Sequence, residues 1–169
     1  NPQAWSDTVA PNLATRKPIF LRQQPAEKYS YEGAVLLNDG NLGRGAYNSG
    51  RWLGFCGVPM DAVIDVEQPA EMLYVRFHAL VNKGAWIYNP SLAKVLVSDD
   101  GENFREVAQI NIPVSTWSDR DGIFAYELEF EPVTARFVEV FIAGHDLPED
   151  HSGFGNPAWL FVDEIEIDL

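Results

Sequence analysis

An all-β, antiparallel β-sandwich with little helix is the fold this sequence predicts, on three observations. Apolar residues recur at every second position, clusters of Gly, Pro, Asn and Asp divide those runs at short intervals, and a 3.6-residue period is almost nowhere sustained. Taken in order, residues 1–14 are polar and read as a lead-in that docks only in part. Residues 62–66, Val- and Ile-rich, form a strand. Leu73, Val75, Phe77 and Ala79 alternate with Tyr74, Arg76 and His78, the pattern of a half-buried strand. Strands over 93–98 and 104–110 flank Ser98-Asp-Asp-Gly-Glu-Asn103, where Asp100-Gly101 suits the positive φ of a tight hairpin. Tyr126, Leu128 and Phe130 alternate with Glu127, Glu129 and Glu131, and further strands follow at 136–143 and 160–169. The first strand and the last should reach the same side of the sandwich, bringing the two ends of the chain together.

The 169 residues suit a single domain spanning 1–169 with a substantial core. Lys and Arg total 12 against 25 Asp and Glu, and the formal net charge of −13 repels phosphate backbones and anionic lipid. Nucleic acid and membrane insertion are therefore not expected. No run approaches the ~20 apolar residues of a membrane span, and the Asn1-Pro-Gln start lacks the features of a signal peptide, as in a mature chain or a module cut from a longer one. The lone Cys56 has no internal partner for a disulfide and is expected to pack rather than react.

The long loops, at about 40–59, 81–91, 111–122 and 144–158, hold an unusual share of the large aromatics and histidines: Trp52 and Phe55, then Trp86 and Tyr88, then Trp117, then His145, His151 and Phe154. A sandwich gathers its loops at two ends, so several of these should converge on one rim. Catalysis finds little support. Glu127, Glu129 and Glu131 share one strand face, as a solvated surface does, whereas paired acid–base carboxylates face each other across a cleft. The alternative constellation, Asp146, Glu149 and Asp150 beside His145 and His151, matches no metal motif by spacing.

Eight segments together resemble a known family: Asn12-Leu-Ala-Thr-Arg-Lys-Pro-Ile19, Leu37-Asn-Asp-Gly40, Gly50-Arg-Trp-Leu-Gly-Phe55, Ala62-Val-Ile-Asp-Val66, Trp86-Ile-Tyr-Asn-Pro90, Val97-Ser-Asp-Asp-Gly-Glu-Asn-Phe104, Ala135-Arg-Phe-Val138 and Ala158-Trp-Leu-Phe-Val-Asp-Glu-Ile165. Their order is similar to that of discoidin, or coagulation factor 5/8 type C, domains. The nearest likeness is to the modules of carbohydrate-binding family thirty-two and to those appended to bacterial family-twenty β-hexosaminidases. The resemblance implies a galactose-binding-like jelly roll that binds a glycan bearing galactose or N-acetylhexosamine without catalysis. It would be monomeric, extracellular, periplasmic or at the cell surface, and joined covalently to a secreted glycoside hydrolase.

The resemblance also implies a structural Ca²⁺ held by Asp39, Asn41, a Gly50 carbonyl and Glu164. Many relatives carry Thr or Ser where this chain has Gly50. Against calcium stands a plain turn at 38–40, with Glu164 paired to a Lys or Arg. The expected sugar contacts are Trp86, Tyr88, Trp117, His145 and His151, with Trp5 and Phe154 as outer candidates and Arg51 and Asn89 as polar ones. Trp52, Trp159 and Phe161 belong to the core. Two other functions fit the same chain, a structural appendage on a hydrolase and a protein-interaction module. An open aromatic on the rim separates the first from glycan binding, and a large flat apolar patch would mark the second.

Overall fold

The computed structural model describes residues 7–169. Seven strands carry the fold: β1 (Ile19–Leu21), β2 (Leu53–Cys56), β3 (Met60–Val81), β4 (Leu92–Ser98), β5 (Arg105–Asn111), β6 (Gly122–Ala143) and β7 (Trp159–Asp168). The helical content among the described residues is three 3₁₀ turns, at Glu27–Tyr29, Gly33–Leu37 and Lys83–Ala85.

All strand pairings are antiparallel, and the order is β2-β7-β3-β6-β4-β5 with β1 on β3. The two 22-residue strands make this a sandwich, because each changes partners midway. The start of β3 pairs with β1 and with the end of β6, which carries β4 and then β5. The end of β3 pairs with the start of β6 and with β7, which carries β2. The bend falls where the β3–β6 register slips between Asp65 and Ala70. Glu67 has φ 76° there, and Arg136 donates from Nε and Nη2 to the two Asp65 carboxylate oxygens at 2.8 and 2.9 Å. Side chains from both layers, including Ile64, Val138, Val75, Phe77, Leu128 and Ile165, meet in one core.

The predicted strand pairs 62–66 with 73–79, and 126–130 with 136–143, each turn out to be one continuous strand. Pro69 and Pro132 read as breaks in the sequence, but each sits where the ladder already slips and no N–H is missed. β2 lies inside the expected 40–59 loop. Its four residues are too few to display alternation, and it is defined by pairing with β7. Gly54 is required in β2, since a Cβ there would stand 2.8 Å from the Phe161 ring and 2.9 Å from Tyr29. Cys56, expected to pack, is exposed. The 98–103 hairpin forms as predicted, with Asp100 accepting the N–H groups of Glu102 and Asn103. The Leu13 N–H donates to the Ile167 carbonyl at 2.9 Å, so residue 13 lies along the last strand, while the expected meeting of the two chain ends falls outside the described residues.

Candidate functional site

Three loops meet at one end of the sandwich, and polar side chains, buried Lys83 and Asn89 and exposed Asp150, lock them together. Lys83, almost fully buried, donates from Nζ to the Asp119 carbonyl at 2.5 Å and to Asp121 Oδ1 at 2.6 Å, tying the 81–91 loop to the 111–122 loop. Asn89 repeats that tie, donating to the Pro113 carbonyl at 2.8 Å and accepting the Ser115 N–H at 2.9 Å. Asp150 Oδ2 accepts the Trp117 N–H at 2.7 Å, which fastens the 144–158 loop to the same tip. The Trp86 carbonyl accepts the Trp159 N–H, and the Trp159 carbonyl accepts the Tyr88 N–H, so the 86–88 segment is stitched to the start of β7.

His151 lies at the centre. Its Nδ1 accepts the Gly153 N–H at 2.9 Å, which leaves Nε2 as the donor to the Lys83 carbonyl at 3.0 Å. Three aromatic rings stand edge-on to its imidazole: Trp117 at 5.4 Å, Trp86 at 5.5 Å and Tyr88 at 5.8 Å. Only the two indoles open to solvent, Trp117 at 55% and Trp86 at 39%; Tyr88 and His151 are at 1% and 5%. Trp86 has φ 68° and ψ 19°, a left-handed conformation that costs a residue with a Cβ about 1–2 kcal/mol. The surrounding hydrogen bonds hold it there. The result is a platform of two open indoles on a packed polar base.

The expected contact set divides accordingly. Trp86 and Trp117 reach the surface together, and Phe154 is also exposed. Tyr88 and His151 are corrected to supporting positions, because a side chain without exposed surface has none to offer a ligand. His145 is half-buried and donates from Nε2 to the Ile112 carbonyl at 2.8 Å, and burial pushes its imidazole below the usual value. Asn89 is likewise a buried clamp rather than a contact. Arg51 is exposed and donates to the Leu42 carbonyl at 3.4 Å. Trp52 and Phe161 are core residues, as expected, with Trp159 partly buried beside Phe161. Trp5 lies outside the described residues. Sequence reasoning missed Lys83 and Asp121, and it named Asp150 only in the alternative constellation, because these roles depend on which loops meet. The alternative histidine–carboxylate constellation dissolves, since both imidazoles are engaged with backbone carbonyls.

At the proposed calcium position, Glu164 is fully buried. Its Oε2 accepts the Gly40 N–H at 3.1 Å, and its Oε1 is buried without a hydrogen-bond partner. Burial, and after it the neighbouring Asp39 carboxylate, push the Glu164 carboxyl up to about 9. Asp39 Oδ1 in turn accepts the Asn41 N–H at 2.9 Å. Two carboxylates with an orphaned oxygen fit a hard cation, which would replace their mutual repulsion by attraction. Among the described residues no three His, Cys, Asp or Glu side chains stand together as a ligand set, so the other oxygens would be backbone carbonyls or water. Gly50, at φ 93°, lies beside the Tyr31 ring.

No family model matches the chain, and a search of curated proteins found no significant match. Solved structures do match. CpGH89CBM32-5 from Clostridium perfringens, solved in complex with GalNAc-β-1,3-galactose, is 18% identical with a TM-score of 0.55, over 90% of this chain and 94% of that one. Chitosan-binding module 1 of a chitosanase/glucanase from Paenibacillus sp. IK-5 is 18% identical with a TM-score of 0.55, over 94% and 98%. The lectin binding domain of Lectinolysin, solved with Lewis b, is 16% identical with a TM-score of 0.59, over 95% and 96%. These likenesses, at 16–18% identity, show a shared fold: the antiparallel β-sandwich of this chain is similar to that of these carbohydrate-binding, chitosan-binding and lectin binding domains.

Proposed function

We propose that the chain is a noncatalytic carbohydrate-binding module that holds a glycan on the Trp86–Trp117 rim. The observation that carries this reading is the pair of open indoles braced by buried His151. Open indole faces suit the C–H face of a pyranose, whose hydroxyls can then hydrogen-bond to polar groups at the rim. Rigid placement matters as well, because ordering two loops on binding would consume the small gain that one sugar provides. Glycan ligands named for the solved neighbours support the class of partner.

The ligand expected is a neutral glycan ending in galactose or N-acetylhexosamine, since a net charge of −13 opposes anionic glycans. Calcium at Asp39 and Glu164, with backbone oxygens near Asn41 and Gly50, would staple the 37–41 turn to β7. In this reading the module is a monomer outside the cytoplasm, at the cell surface, in the periplasm or secreted, and an accessory to a bacterial glycoside hydrolase. The open rim favours glycan binding over a purely structural appendage.

Calorimetric titration with galactose, N-acetylgalactosamine, N-acetylglucosamine and lactose tests it. Saturable binding in the millimolar range is expected, weakened at least about tenfold in Trp86→Ala or Trp117→Ala, because a stacking aromatic dominates so small an interface. No saturable binding to any sugar would return the chain to the structural-appendage reading.

A further inference from the structure

A cavity of about 320 Å³ lies between the 111–122 loop and the start of β6. Phe124, Tyr126 and Ile112 give it an apolar wall, and Ser115, Asp119 and Arg120 a polar one. The apolar wall exists because β6 is covered along only part of its length. Phe124 and Tyr126 stand opposite Ala79 and Phe77 of β3, on the face that enters the core. β4, however, pairs with β6 only between Phe137 and Ala143, so the stretch 122–130 is a sheet edge and both rings stay partly exposed. Stacking on Phe77 at 5.3 Å fixes the Tyr126 ring in place.

The polar wall is accessible and largely unspent. Arg120 is exposed, and its guanidinium lies 5.1 Å from the centre of the Phe124 ring. Among the described residues no carboxylate pairs with Arg120 and no acceptor takes its N–H groups. The Ser115 hydroxyl is free in the same sense, since only the Ser115 N–H is engaged, by Asn89 Oδ1. Asp119 Oδ2 accepts the Thr116 N–H at 2.7 Å, and the Thr116 carbonyl accepts the Asp119 N–H at 3.0 Å, so this wall is one closed turn with Trp117 at its corner. Trp117 stays out of the cavity and meets His151 instead. Rim and cavity are therefore two sides of a single tight turn. Arg120 is three positions beyond Trp117, which keeps their Cα atoms within about 11 Å.

We propose that this cavity is a second sugar subsite, which takes a neutral pyranose of the same glycan chain whose end residue rests on Trp86 and Trp117. The inference rests on the glycan-binding reading of the rim and adds that the ligand is an oligosaccharide rather than a lone terminal sugar. Arg120 alone would draw an anion, but the Asp119 carboxylate in the same wall opposes one. A neutral polyhydroxyl ring suits both charges: its hydroxyls accept from Arg120 and Ser115 and donate to Asp119, while its C–H face lies on the apolar wall. A residue joined covalently to one already bound arrives at high effective concentration, so even a weak second contact multiplies affinity.

The test is calorimetric titration of the intact chain, at constant calcium, with two pairs of neutral sugars: galactose against β-1,4-galactotriose, and N-acetylglucosamine against tri-N-acetylchitotriose. In at least one pair the trisaccharide should bind about tenfold or more tightly than its monosaccharide. Arg120→Ala removes the free donors and Ser115→Phe fills the cavity, and in each variant the trisaccharide should fall back to within about threefold of the monosaccharide. Monosaccharide affinity should stay unchanged in both variants, because neither touches the indoles. Arg120 is a surface residue, so its replacement keeps the test valid if Ser115→Phe distorts the turn. The proposal is overturned if no trisaccharide outbinds its monosaccharide, or if the advantage survives in Arg120→Ala. An equal loss for both sugars in Arg120→Ala would mark a structural role for that residue and overturn it as well. Monosaccharide binding without a trisaccharide advantage leaves the rim reading intact and removes the second subsite alone, whereas no binding by any of the four sugars removes both.

Discussion

Replacing Glu164 by Gln should stabilise the metal-free protein at neutral pH and abolish its response to calcium. Glu164 is held at about 9 in the fold against 4.5 for the free side chain. Between those values the native state binds a proton that the unfolded chain has released, so stability falls as pH rises across the window, by about 1.4 kcal/mol per unit. At pH 7 the accumulated penalty is about 3 kcal/mol. A neutral amide of the same shape escapes it. In EDTA, Glu164→Gln should therefore exceed the wild type by about that amount at pH 7 and by nearly nothing at pH 4.

Asp61, pushed up to about 7 by burial and then by Glu139, adds a slope of the same sign, but it is common to both proteins and cancels in the difference. With calcium bound as proposed, the order should reverse. At ~100 Kd it should add about 2.7 kcal/mol to the wild type. The variant, lacking the carboxylate, should gain little. Urea denaturation at pH 4, 7 and 9, in EDTA or excess calcium, measures all of these. A variant less stable than wild type at pH 7 in EDTA, or an equal calcium gain in both proteins, refutes the reasoning.

Two further outcomes can be measured by the same denaturation. His151→Ala removes two hydrogen bonds to backbone groups and three edge-on aromatic contacts, so a loss of about 2–4 kcal/mol is expected, with changed tryptophan fluorescence. A loss below about 0.5 kcal/mol, the range of ordinary surface substitutions, would deny it the central role. Gly43→Ala would place a Cβ against the fully buried Trp52 ring and should cost about 1–3 kcal/mol. A neutral result would mean that the 42–44 loop shifts away freely from the Trp52 ring.

Local pattern is enough to read much of this protein. Period-two alternation in 73–79 and 126–130 identifies strands because a pleated chain faces the core with every second side chain, whatever its partners. The 98–103 hairpin is equally legible, since its geometry is set by the residues within it. Placing the large aromatics in loops follows from the same pattern, and ordered motifs across the chain point to the fold family. What pattern cannot carry is the outcome of distant segments meeting. Trp86 and Tyr88 are two residues apart in one loop, yet one is open and the other buried, because Leu147, Ala158 and Val114 pack around the second. The four-residue β2 exists through its pairing with β7. Asp163 and Glu164 are neighbours in a strand that reads as regular, and only the extra residue in the β3–β7 ladder sends one carboxylate towards His78 and the other towards Asp39. Alternation is a property of a segment, whereas burial and register belong to pairs of segments, and so they are decided by the tertiary structure alone.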